Sequence, residues 1–106
     1  MDEKLNGFGV PPLHTNFLAK KLFEGERTVR DVAIAKLDIC GGGPTELHTH
    51  QHDHLLVVVK GEAKIILGEE TAIVRENESF LVKGMIPHSV WNNVDYETTM
   101  IGITLE

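Results

Sequence analysis

The stretch Gly42-Gly43-Pro44-Thr45-Glu46-Leu47-His48-Thr49-His50-Gln51-His52-Asp53-His54-Leu55-Leu56-Val57-Val58-Val59-Lys60-Gly61 decides how this chain is read. Four of the six histidines of the protein fall within it, and the last of them runs straight into the apolar segment Leu55 to Val59. Alternate residues of a strand share a face and lie roughly 6.6 Å apart. His48 and His50 are therefore expected to lean toward one metal ion, with bonds to imidazole nitrogen of about 2.1 Å. His54 has the same parity, but a straight strand would carry it roughly 13 Å beyond His50. The reading requires a bend at Gln51-His52-Asp53, after which His54 opens the next strand with Leu56 and Val58 facing inward. His52 is then a rim residue. A fourth ligand must come from elsewhere in the chain. His88 follows the turn signal Gly84-Met85-Ile86-Pro87 and begins a β-type segment, which suits a ligand better than His14 in the loose N-terminal region.

Outward from this stretch the pattern is that of short strands. Lys20 to Phe23 and Arg27 to Arg30 flank a Glu24-Gly25-Glu26 turn, and Asp31 to Ile39 follows until Gly41 to Gly43 and Pro44 break it. Leu55 to Val59, ended by Lys60-Gly61, is expected to form a hairpin with Ala63 to Leu67. Further strands are expected at Thr71 to Arg75, Ser79 to Val82, Ser89 to Trp91 and Glu97 to Leu105. No segment carries a sustained 3.6-residue apolar period with caps. The fold class is therefore all-β, a sandwich or barrel of about eight strands. Leu55 to Val59 is apolar on both faces. One face packs in the barrel; the other must be covered by a second subunit or by the N-terminal arm.

Composition limits the partners. The 106 residues suit one domain, and 42% hydrophobic with 25% charged residues is an ordinary globular balance. Sixteen acidic against ten basic residues give a net charge of -6, which argues against nucleic acid or an anionic membrane as partner. No apolar run approaches the roughly 20 residues of a membrane span. No signal peptide is visible behind Met1-Asp2-Glu3-Lys4, and the lone Cys40 cannot pair within the chain, so a cytoplasmic protein is expected. The small size and the two-sided apolar strand point to a homodimer.

The spacing around the histidines resembles the first motif of the cupin superfamily, small double-stranded β-helix (jelly-roll) proteins. That motif is a glycine, five residues, His-x-His, three or four residues, a glutamate, six residues and a glycine. Here Gly42, His48, His50, His54 and Gly61 fit every interval, with histidine standing where the family usually has glutamate, as in a four-histidine subset of small bacterial cupins. The second motif is less complete. Gly84 lacks the preceding proline, three residues rather than two separate it from His88, and Glu76 replaces the opening glycine. Asn92 stands at the expected distance beyond His88. The resemblance covers about Ala19 to Glu106 and implies one cupin domain over residues 1–106, with residues 1–18 as an arm and about 19–106 as the conserved barrel.

The resulting site is one divalent transition-metal ion (Fe, Mn, Ni, Cu or Zn) held by His48, His50, His54 and His88. Imidazole ligation disfavours Mg and Ca. Four neutral ligands leave the ion its full +2 charge, which favours enolates, carboxylates and other anionic small molecules. What the resemblance implies is a dioxygenase-like or isomerase-like enzyme on a small anionic or enolisable molecule; the alternative is a cupin that binds a metal or metabolite without turnover. A tetrahedral zinc would be structural. Glu46 is open between two roles: a partner of a ligand imidazole or general base, or a solvated strand end. Trp91 is expected on the outer face, and Cys40 as buried filler.

Overall fold

The computed structural model describes residues 7–48 and 51–106, with only the backbone described for residues 46–48. Its eight strands are β1 (Val29–Leu37), β2 (Gly42–His48), β3 (Asp53–Lys60), β4 (Glu62–Leu67), β5 (Glu70–Arg75), β6 (Ser79–Val82), β7 (His88–Asn92) and β8 (Thr98–Leu105). They form two antiparallel four-stranded sheets, β1-β8-β3-β6 and β2-β7-β4-β5, the two walls of a jelly-roll barrel. No helix lies among the described residues. The all-β expectation holds.

Alternation decides what each wall buries. Along β3, His54, Leu56 and Val58 share the inner face; they stand opposite Thr104, Gly102 and Met100 of β8. Across the barrel, Ala63 and Ile65 of β4 and Val74 of β5 complete a core with Val58, Val82 and Met100, and Val58, Ala63 and Ile65 are wholly inaccessible. Each of the larger of these side chains contributes about 1.5–3 kcal/mol on burial. This core closes the barrel below the level of His54, so the histidine sits above a packed floor.

Three strand expectations need correction. Leu55 to Val59 and Ala63 to Leu67 are not a hairpin pair: β3 bonds to β8 and β6, whereas β4 bonds to β5 and β7. Gly61, at φ 90°, turns the chain from one wall to the other with Thr98 packed against its α-carbon, where a Cβ would collide with the threonine side chain. The glycine break after Ile39 is only partial, because Gly42, Gly43 and Pro44 belong to β2. Gly42 and Gly43 pair with Trp91 and Val90 before a bulge resets the register to His48 opposite His88. Lys20 to Phe23 form no strand. This segment runs over the outer face of the β3–β6 half as a strap, held by the Ser79 hydroxyl donating to Leu22 O at 2.6 Å.

The strap bears on what covers the outer face of β3. Phe8, Lys20 and Leu22 line a recess with Val57 and Val59, so the N-terminal segment runs along this half of the sheet while Val59 stays 47% exposed. The β1 half carries no such cover among the described residues: Val32 and Ile34 are 62% and 67% exposed.

Candidate metal centre

Two histidines from opposite walls meet above the core. His54 comes from β3 and His88 opens β7; their ring centroids are 6.0 Å apart with planes inclined by 50°. A metal–imidazole bond of about 2.1 Å puts an ion about 3.2 Å from each ring centre, so this separation leaves room for one ion between the rings. The donor chemistry also fits. The Nδ1 of His88 lies 2.9 Å from Ile86 O. A carbonyl only accepts, so Nδ1 is the donor in this contact, the kind of hydrogen bond by which a protein orients a ligand imidazole. In His54, Nδ1 lies 3.2 Å from the Thr104 hydroxyl, which fixes the ring from the β8 side.

Burial pushes the His54 imidazole below its ordinary pKa, and the neighbouring charge of His88 pushes it the same way. Asp31 acts in the opposite sense. It stands opposite Thr104 in the β1–β8 register, on the inner row that leads from β1 to His54. The net shift is downward, which favours the neutral imidazole, the form that binds a metal.

The backbone brings a third candidate to the same level, since His48 pairs with His88 in register. The side chains of Glu46 and His48, and all of His50, lie outside the described residues. Among the described residues no cluster of three or more His, Cys, Asp or Glu side chains forms, so the described part of the centre is the His54–His88 pair.

Two features that the sequence reading passed over hold this pair in place. Asp53 accepts the Gly84 N–H at 2.7 Å and the Arg27 guanidinium at 3.0 Å, tying the start of β3 to the loop that delivers His88. The Gly84 N–H and then Arg27 hold its carboxyl below the usual range. The approach is close enough that a Cβ on Gly84 would lie 2.5 Å from Gln51 O, so the loop requires glycine there. Thr104 is the second feature. A carboxylate beside a histidine and a threonine in the last strand carry no local signal; only the strand register reveals their roles.

The bend required before His54 is present at Gln51 and His52, and His52 is half-buried beside it. Trp91 lies on the outer face as expected, its indole N–H donating to Ser89 Oγ at 2.9 Å. His14 is exposed, its Nδ1 2.8 Å from Pro12 O. Cys40 is a correction: it is exposed at φ 62°, because the β1–β2 turn carries it out of the core. Asn92 is not at the centre. Its Nδ2 donates to the carbonyls of Leu37, Asp38 and Tyr96 at 2.9, 3.0 and 2.7 Å. Its Oδ1 accepts from Val94 N and Thr98 Oγ1 at 3.0 and 2.7 Å.

The Cupin_2 family model, described as a cupin domain, matches residues 37–104. Among solved structures, TT1209 from Thermus thermophilus is similar with a TM-score of 0.62 and 21% identity, over 78% of this chain and 76% of that one. KdgF from Halomonas sp. is similar with a TM-score of 0.62 and 19% identity, over 74% and 76%. A cupin 2 conserved barrel domain protein from Rhodopseudomonas palustris gives 0.62 and 18%, over 70% of this chain and 50% of its own. At these identities the likeness is one of fold. No curated protein matches.

Proposed function

Because this chain belongs to the cupin domain family, we propose that it holds one divalent transition-metal ion on His54 and His88, completed by His48 and His50, and acts on a small anionic or enolisable molecule in a dioxygenase-like or isomerase-like reaction. The observation that carries the reading is the meeting of two imidazoles from opposite walls inside the barrel. The His88 ring is 8% exposed, its Nδ1 lies 2.9 Å from Ile86 O, and its centroid is 6.0 Å from that of His54. When bound, the ion supplies a +2 centre that stabilises negative charge on a substrate oxygen.

The chain's own residues do the rest. Thr104 and Ile86 orient the two rings. Asp53, through Gly84, keeps the His88 loop against β3. Asp31 places a carboxylate on the inner row next to Thr104, where it can take up a proton from an enolisable substrate.

The test is deuterium exchange into a panel of enolisable acids, run beside oxygen uptake, on metal-replete protein. Exchange or uptake is expected in the wild type and is expected to fall at least about a hundredfold in His54→Ala, as loss of a metal ligand requires. A panel showing neither in the wild type overturns the enzymatic reading and leaves a binding module.

A further inference from the structure

Beside the histidine pair the two walls part. At the edge formed by β1 and β2 they leave a cleft of about 440 Å³, walled by Ala35, Leu37, Leu56, Val90 and Met100 and floored by Gly42. That volume is within the usual size of a small-molecule site. The cleft lies along the same two strands as the candidate centre: Leu56 follows His54 by two residues on β3, and Val90 follows His88 by two on β7. Each step is one strand repeat, roughly 6.6 Å on the same face. A ligand whose head lies at the histidines would thus need to extend about one strand repeat to place its other end in the apolar cleft.

The wall chemistry narrows the ligand. No aromatic ring lines the cleft among the described residues, so nothing there offers a stacking partner to a flat substrate. The two charged residues at the rim are turned to other partners: Lys36 Nζ lies 3.5 Å from Glu97, and Asp38 Oδ1 accepts the Ile39 N–H at 2.8 Å. Both lie at the solvent-exposed rim, and the walls beyond them are apolar. A second charged group on the ligand would lose its hydration there without compensation.

We infer that the ligand is a short-chain aliphatic monocarboxylate or its enolisable keto analogue, its anionic head at the His54–His88 end and its saturated chain in the cleft beside Leu56 and Met100. The assignment of the head rests on the metal-centre reading above; that of the chain rests on the cleft alone.

Titration calorimetry with acetate, butyrate and hexanoate, with succinate as the charged control, tests it on metal-replete protein. Each buried methylene is expected to tighten binding about fourfold, and succinate is expected to bind more weakly than butyrate. A flat series, or succinate equal to butyrate, overturns the inference. Ala35→Trp puts a ring into the cleft from the exposed β1 edge. It should flatten the series, and an unchanged slope in the folded variant overturns the inference. A second readout needs no variant. In wild-type protein with ¹³C-labelled methionine methyls, hexanoate should shift the buried Met100 resonance and leave that of Met85, 66% exposed, in place; an unmoved Met100 overturns the inference. Repeating both titrations after chelation separates the two readings. Acetate binding indifferent to chelation sinks the metal assignment, whereas a Met100 shift that persists without metal keeps the chain in the cleft.

Discussion

Asn92→Ala is expected to lower stability by about 3 kcal/mol, because it removes a part-buried amide and strands several backbone carbonyls and a hydroxyl at once. Five hydrogen bonds converge on this side chain. They join the end of β1, the turn after β7 and the first residue of β8, where Thr98 is fully buried. For a domain of this size, stability in total is only about 5–15 kcal/mol. A loss of this size moves the thermal midpoint by more than about 10 °C. Urea unfolding of wild type and variant measures it, with Asn93→Ala as the comparison. Asn93 makes an exposed side-chain bond to Glu62 at 2.6 Å, and its loss should cost under about 1 kcal/mol. Equal costs for the two would remove Asn92 from the centre of the network.

His88→Ala has the second large effect, on metal rather than on folding. The ring is one of two described donors facing across the barrel, and its Nδ1 is engaged by the Ile86 carbonyl in the preceding loop. Loss of an oriented donor removes more than the roughly 10–100-fold in affinity that loss of its supporting partner costs. Metal affinity, read by competition with a chromophoric chelator, should therefore fall by more than about a hundredfold. Far-UV circular dichroism should keep its β-sheet form, since the core of Val58, Ile65, Val82 and Met100 lies below the ring. His14→Ala, at an exposed site whose ring packs against Phe17, should leave affinity unchanged.

The strands that could be read from the sequence are those whose signals are local. Ser79 to Val82 lies between a Glu-Asn-Glu turn and Lys83-Gly84, and it is found as β6 with those bounds. Glu97 to Leu105 differs from β8 by one residue. What misled the reading depended on distant partners. Gly61 looks like a hairpin turn, yet it carries the chain between walls because Thr98, far along the chain, occupies the space beside it. Gly42-Gly43-Pro44 looks like a break, yet pairing with Val90 and Trp91 holds it in a strand. His54 at the head of a strand was legible from parity, and His88 from its turn signal and the family spacing; the structure brings these two rings together. The groups that orient the two rings were not legible. Thr104 reaches His54 through the β3–β8 register, Ile86 reaches His88 through a loop, and Asp53 acts through a glycine 31 positions away. Asn92 was visible as a motif position, but its work is to fasten β1 to β8, which only the fold shows.

Elemental analysis of untagged protein, purified without chelators, tests the central claim most directly. The account predicts close to one transition-metal ion per chain in the wild type and almost none in His88→Ala measured beside it. A wild-type preparation without metal, or a variant that keeps the full complement, would contradict it.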